Sequence, residues 1–361
     1  MADSTASLPA AETDVVASSV GVSIKNLYKV FGPNPAAVMS LVHQGLSKDE
    51  LRDNHGHVLG LRNINLDMKP GAIQVVMGLS GSGKSTLIRH INRLIDPTEG
   101  EVWVGDENIM ALGAKALREF RRRSTAMVFQ RFALFPHYTV MENVQFGLEV
   151  KGVGRKARRE EAARWIDRVG LAGYEDNYPN QLSGGMQQRV GLARALTNDA
   201  PVLLMDEAFS ALDPLIRSDM QSVLMDLQGE IGKTIVFITH DLDEALRLGD
   251  NIAILRDGEM VQQGTGQSIV LRPADDYIAS FVRDVNRGRV IRCRTLMQPG
   301  APVEGPQVEQ SLVIEEAARL LSAEGLETAN VVDGKGRHRG LITQSDIIAA
   351  IVPPAAETEA A

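Results

Sequence analysis

One cysteine, Cys293, occurs in 361 residues. A single thiol excludes an intrachain disulfide framework and a multi-cysteine metal site, and it fits a reducing compartment, with Cys293 read as a small buried hydrophobe. Long apolar runs are missing too. No stretch approaches the roughly 18 residues that a membrane-spanning helix needs, so no transmembrane segment is expected. Positive charge is in deficit: 38 Lys and Arg stand against 46 Asp and Glu, for a formal charge of -8. A dedicated nucleic-acid binder usually presents a basic face, so no nucleic-acid partner is expected. The opening residues contain acids but no early basic cluster, which does not read as a secretory signal. Residues 1–21 and 353–361 are expected to be loose tails.

What is present reads as a folded protein of two domains. Hydrophobic residues at 44% and charged residues at 23% sit near the globular average. Helix and strand patterns alternate from about Val22, which predicts an α/β domain over 22–275 with a mostly parallel sheet. Three short runs, Ile73 to Met77, Pro201 to Met205 and Thr234 to Thr239, have the near-continuous hydrophobicity of strands buried on both faces. Each ends in polar, reactive residues, and ligands of parallel sheets bind beyond the carboxyl ends of strands. Residues 131–198 show few strand signals and read as an inserted helical subdomain. Gly32 to His57 reads as a second insertion, in which Val38, Met39, Leu41, Val42 and Leu46 suggest a short amphipathic helix. A linker is expected over 276–308. A small α+β module is expected over 309–352: a helix with Ile314, Ala317, Ala318 and Leu321 on one face, strands near Ala329–Val332 and Gly340–Thr343, and a helix over Asp346–Ile351.

Three motifs carry chemistry. Gly78, Ser80, Gly81, Ser82, Gly83, Lys84, Ser85 and Thr86 fit the phosphate-loop pattern GxxxxGK[ST], after a buried strand and before a helical run. The glycines let backbone N–H groups turn toward phosphates, and the new helix adds partial positive charge at its start. Lys84 would reach the β and γ phosphates, and Ser85 has the short hydroxyl suited to Mg²⁺. Asp206 and Glu207 end a buried strand, where burying carboxylates is costly unless a cation or hydrogen bonds compensate. Because side chains alternate along a strand, one acid can serve Mg²⁺ and the other a water; Glu207 is read as the general base. Ser183, Gly184 and Gly185 open a helix, with Ser183 as N-cap and the glycines freeing N–H groups for an anion.

The order of phosphate loop, Gln130 in Val128-Phe129-Gln130, Leu182-Ser183-Gly184-Gly185, Asp206-Glu207, Ser210 to Asp213, and His240 resembles the ATP-binding-cassette (ABC) nucleotide-binding domain over about residues 22–270. The resemblance implies a P-loop NTPase core of RecA-like type, an ATPase with ATP and Mg²⁺ as cofactors, and catalytic roles for Glu207, His240 and Gln130. It implies Mg²⁺ contacts from Ser85, Gln130 and Asp206. Phe31 sits where the family places an aromatic on adenine, with Tyr28 as the other candidate and a core role open for either. Because the family sandwiches each nucleotide between two subunits, Ser183, Gly184, Gly185 and Asp213 would touch the ATP of a second copy, giving a homodimer. Phe132 to Val140 resembles the groove that receives a coupling helix from an integral-membrane permease, with a core role for its aromatics as the other reading.

The insertion after Phe31, the segment Arg89 to Ile95 and the tail resemble the importers of quaternary amines: glycine betaine, proline betaine or choline. In that family a separate binding protein recognises the substrate, and the ATP-hydrolysing subunit sits on the cytoplasmic face of the inner membrane. Another small solute such as an amino acid, or a soluble non-transport ABC ATPase, is the alternative. The tail from Glu309 to Val352 resembles one cystathionine-β-synthase-type (CBS) regulatory module, where related importers often carry two; a dimerisation or vestigial tail is the other reading. The basic runs Arg121–Arg123 and Arg155–Arg159 read as solvated helix faces or as faces toward anionic lipid.

Overall fold

The computed structural model describes residues 19–130 and 132–352. The loose tails expected at 1–21 and 353–361 lie outside the described residues except for 19–21. Two of these are tied down: the Val20 carbonyl accepts from Thr234 Oγ1 at 2.7 Å and the Gly21 carbonyl from the Gly105 N–H at 2.8 Å.

Ten strands build the main domain. They are β1 (Val22–Phe31), β2 (Val58–Met68), β3 (Ile73–Met77), β4 (Glu99–Val104), β5 (Glu107–Asn108), β6 (Thr125–Val128), β7 (Val202–Asp206), β8 (Thr234–Thr239), β9 (Asn251–Arg256) and β10 (Glu259–Gly264). One sheet is antiparallel, in the order β2-β1-β4-β5. The other has the order β10-β9-β3-β8-β7-β6 and is parallel except for β10. The three runs read as doubly buried strands become β3, β7 and β8, every residue of which is buried.

Strand alternation sorts their side chains into two cores. Val76, Leu204, Val236 and Ile238 face Ile24, Leu66 and Val102 of the antiparallel sheet. Val75, Leu203, Met205 and Phe237 face the other way, onto helices that contribute Val190, Leu192, Met220 and Leu224. Helices Val140–Val150, Arg155–Arg168 and Gly184–Thr197 pack on one another within residues 131–198. In the first of them, Asn143 is fully buried and fastens the segment that follows Gln130. Its Oδ1 accepts from the Phe135 N–H at 2.8 Å, and its Nδ2 donates to the carbonyls of Phe135, Tyr138 and Thr139 at 3.0–3.1 Å.

The insertion is helical but not one helix. A 3-10 turn, Pro35–Val38, leads into helix Met39–His43, and a second helix, Lys48–His55, follows. Gly45 breaks the run with a φ of +89°. The second helix was not anticipated, although Ser47 and Glu50 form a capping box at its start.

In the tail, β12 (Thr328–Val332) pairs with β13 (His338–Thr343), flanked by helices Ile314–Glu324 and Gln344–Ile351; β11 (Gln307–Glu309) adds a parallel strand to β12. The stretch 276–308, expected as a linker, is instead built into both units. Ile278 and Val282 pack in the main core, whereas Ile291, Cys293 and Val308 are buried with Ile314 and Leu321. The elements there are only three to seven residues long, too short for a periodic hydrophobic signal. Of the basic runs, Arg121 donates to the carbonyls of Asn92 and Arg93 and Arg123 pairs with Glu107 at 2.9 Å, so these two serve the fold.

Replacing Asn143 with Ala orphans the Phe135 N–H and the Tyr138 carbonyl and takes one of two donors from the carbonyls of Phe135 and Thr139. This substitution is expected to lower stability by about 1–3 kcal/mol and to raise the protease sensitivity of the segment after Gln130, measured by urea unfolding and limited proteolysis.

Candidate functional site

The parallel register brings three strand ends level. Met77 pairs with Thr239, and Asp206 pairs with Ile238, so the residues just past β3, β7 and β8 open on one edge.

The loop after β3 turns tightly because its glycines permit it. A Cβ on Gly78 (φ +149°) would lie 2.1 Å from the Leu255 carbonyl oxygen, and one on Gly83 (φ +101°) 2.8 Å from the Gly60 carbonyl oxygen. Helix Lys84–Ile91 then starts from Gly83 with no side-chain cap, which leaves its first N–H groups free to meet an anion. Lys84 is 4% exposed and donates to the carbonyls of Gly78 at 2.8 Å and Leu79 at 3.0 Å. Burial holds its ammonium below the usual lysine range, and Glu207 and Asp206 oppose that shift.

Asp206 and Glu207 take different duties. Asp206, 3% exposed, accepts from Ser85 Oγ at 2.7 Å and from the Arg89 guanidinium at 3.2 Å. Glu207 turns away because its backbone is left-handed, with φ +47°, a conformation costing a non-glycine residue roughly 1–2 kcal/mol. Its N–H donates to the Ile238 carbonyl at 3.2 Å, so β8 holds the turn. Three groups then converge on its carboxylate. Gln130 Nε2 donates to Oε2 at 2.8 Å, while Lys84 Nζ lies 3.8 Å and His240 Nδ1 3.9 Å from Oε1. The divergence expected from strand alternation is real, but a backbone turn produces it.

Above this edge lies a cavity of about 410 Å³ lined by Phe31, Ser80, Gly81, Gly83, Lys84, Ser85, Thr86, Gln130 and Glu207. Gly78 and Ser82 of the same loop are buried and do not line it, Ser82 being only 4% exposed. Phe31 is 40% exposed, its ring against Gly60 and 5.0 Å from the Lys29 ammonium. Tyr28, the other aromatic candidate, faces a different hollow, with its ring centroid 5.0 Å from that of His43. Lys48, Val58, Leu59 and Gly60 also line the cavity and were not anticipated. A capping box before Lys48 was the available signal, but an isolated lysine on a helix is ordinarily a solvated charge.

Ser183, Gly184, Gly185 and Asp213 are not part of that lining. Ser183 Oγ accepts from the Met186 N–H at 3.3 Å as N-cap of helix Gly184–Thr197, and Asp213 Oδ1 from the Ile216 N–H at 3.1 Å as N-cap of helix Pro214–Ile231. The two helices abut through Gly185, where a Cβ would sit 2.6 Å from Ile216 Cγ2. Both helix starts are exposed, with Ser183, Gly184 and Asp213 at the surface.

Residues 61–210, which hold the phosphate loop, Gln130, Ser183 and Glu207, match the family model described as ABC transporter. The chain is 45% identical over 330 residues to the glycine betaine transport ATP-binding protein OpuAA of Bacillus subtilis, spanning 91% of this chain and 77% of that protein. It is also 45% identical over 321 residues to the trimethylamine N-oxide transport system ATP-binding protein TmoW of Ruegeria pomeroyi, spanning 89% of this chain and 94% of the relative. Among solved structures, it resembles the dimeric post-hydrolysis state of the ATP-binding cassette MJ0796 bound to ADP and Pi, at a TM-score of 0.58 and 35% identity over 68% of this chain and 98% of that one. With a glycine-cradled helix start, a buried lysine and a carboxylate held by Gln130 and faced by His240 in one edge cavity, the chain belongs to the ABC transporter family as one of its ATP-binding subunits.

Proposed function

We propose that two copies of this chain bind and hydrolyse ATP to drive import of a small solute with a methylated cationic nitrogen through a separate membrane permease. The observation that carries the ATPase reading is the convergence of Lys84, Gln130 and His240 on the Glu207 carboxylate. Glu207 takes a proton from water as the water oxygen bonds to the γ-phosphorus. The bond from that phosphorus to the β,γ-bridging oxygen breaks, and ADP leaves with the electron pair. His240 and Gln130 hold the water in line, and Lys84, freed from the Gly78 and Leu79 carbonyls, meets the β and γ phosphates.

The oxygen chemistry around Ser85 fits Mg²⁺. Among the described residues no group of three His, Cys, Asp or Glu gathers, so a cation would rest on the Asp206 carboxylate, the Ser85 hydroxyl, the Gln130 amide oxygen and the nucleotide's own oxygens. Bound there, the ion would neutralise charge on the β and γ phosphates.

The phosphate-loop cavity contains none of Ser183, Gly184, Gly185 or Asp213, whose helix starts stand exposed elsewhere on the same chain. A head-to-tail homodimer brings them to the nucleotide held by the other copy. The likeness to a dimeric cassette with ADP and Pi supports this arrangement.

Among the described residues no helix is long and apolar enough to cross a membrane. We place the subunit peripherally on the cytoplasmic face of the inner membrane. The aromatics after Gln130 provide the permease contact, with Phe135 4.7 Å from Phe146 and 5.2 Å from Tyr138 in a half-buried cluster. A separate binding protein recognises the solute through an aromatic cage. The names of the relatives support a methylated cation: glycine betaine for one, trimethylamine N-oxide for the other. The tail serves as a CBS-like regulatory module that pairs with its counterpart across the dimer, through outward apolar residues Leu320 and Ile348.

Glu207→Gln keeps ATP binding and lowers hydrolysis by roughly 10²- to 10⁴-fold; steady-state phosphate release checks this, and undiminished turnover removes Glu207 from the base role. Cells expressing the chain with its neighbouring permease and binding protein should take up labelled glycine betaine or trimethylamine N-oxide, and Glu207→Gln should abolish that uptake. Uptake of neither solute contradicts the substrate class.

A further inference from the structure

The insertion of residues 32–57 is fixed to the main domain as a wall. Val38, Met39, Val42 and Leu51 are buried against Val30 and Leu59, which belong to β1 and β2. His57 staples its two ends: Nδ1 lies 2.6 Å from the His55 carbonyl oxygen and Nε2 2.7 Å from the Pro33 carbonyl oxygen. The residues that bracket the insertion, Phe31 before it and Val58 after it, both line the phosphate-loop cavity, and so does Lys48.

Lys48 opens helix Lys48–His55, where the capping box fixes the backbone. Its acidic neighbours are engaged elsewhere. Asp49 pairs with Arg52 at 3.1 Å, and Glu50 accepts from Ser47 Oγ at 2.7 Å. The cavity therefore carries two ammonium groups with different surroundings. Lys84 is buried beside Glu207 at the catalytic end. Lys48 is half-buried, belongs to the insertion that follows Phe31, and lines the same cavity.

We propose that Lys48 is a nucleotide-binding residue, a cation carried by the insertion that contacts the sugar and inner phosphates of the bound adenine nucleotide from the side opposite the phosphate loop. This inference rests on the reading of the cavity as the ATP site. A cation on the Phe31 wall lies toward the base end of the nucleotide, away from Glu207, so it strengthens MgATP and MgADP alike. It acts through charge more than shape, because the ammonium stands at the rim of an open cavity and must reach a phosphate oxygen through partly solvated space.

Equilibrium titration of the full-length chain with fluorescent mant-ATP and mant-ADP, each with Mg²⁺, tests it at low and high salt. Lys48→Ala is expected to weaken both nucleotides by about three- to tenfold at low salt, Lys48→Glu by more, and Lys48→Arg by less than about twofold. The differences should shrink at high salt. Lys84→Ala, run beside them, should lose nucleotide binding. Parent-like affinity in Lys48→Glu together with lost binding in Lys84→Ala overturns the role of Lys48 alone; so does an equal loss in Lys48→Arg and Lys48→Ala, which would make the effect one of shape. Parent-like affinity in Lys84→Ala overturns the reading of the cavity itself.

Discussion

The hydrogen-bonded register of β3, β8 and β7 is the constraint on which the site depends. Met77 faces Thr239 and Asp206 faces Ile238 across the ladder, so the loops that follow leave the sheet at one level. A slip of one residue would turn Val75, Val236 and Leu204 to the wrong core and carry Lys84 and Glu207 out of reach of each other. Both faces of these strands are buried, so a slip would move every side chain into a core packed for a different one and take Gln74, Thr234 and Asp206 from their places. Fold stability and catalytic geometry are therefore one requirement.

At the end of that ladder, the protein concentrates opposing charge in little space. Lys84 is almost fully buried, and its proximity to Glu207 and Asp206 offsets part of the desolvation that disfavours its charged form. Glu207 departs from the strand in a left-handed conformation that is tolerated because its N–H is anchored on β8 and its carbonyl accepts from Ser210 Oγ at 2.9 Å. Such strain at the carboxylate proposed as the base matches the tendency of proteins to keep unfavourable backbone at functional sites. Gln130 joins this carboxylate to the segment anchored by Asn143. Arg194 of the helix that begins after Ser183 also grips that segment, donating to the carbonyls of Ala133 at 2.8 Å and Phe132 at 3.2 Å. The Glu207 end of the cavity and the exposed helix start are thus linked through a few hydrogen bonds.

Much of this was legible in the residues. The phosphate loop, the paired acids and the three buried strands each announce themselves, because glycines at tight turns, carboxylates at strand ends and uninterrupted Val/Ile/Leu runs have few other physical explanations. The spatial grouping of Gln130, Lys84, Glu207 and His240 followed from strand order and a family resemblance rather than from spacing. Other features were illegible for physical reasons. Lys48 looks like any helical surface lysine until the insertion is folded back on β1 and β2. The tail core begins at Ile291 instead of Glu309, since its first elements are too short to show periodicity. Phe31 was the stronger aromatic candidate and Tyr28 the weaker; within β1 the two part ways, Phe31 at the strand's end lining the cavity and Tyr28 lying against His43.

In the proposed dimer, the glycine loop of one copy meets the capped helix of the other across bound nucleotide. The chain is well suited to a thiol test, because its sole cysteine, Cys293, is fully buried and burial pushes its thiol up to about 11, which leaves it inert. Ser80→Cys and Ser183→Cys chains should be mixed, incubated with MgATP and exposed to a mild oxidant. A disulfide-linked dimer that forms from the mixture in a nucleotide-dependent manner, and not from either chain alone, is the predicted result. Absence of that cross-link under conditions where ATP is bound would contradict the account.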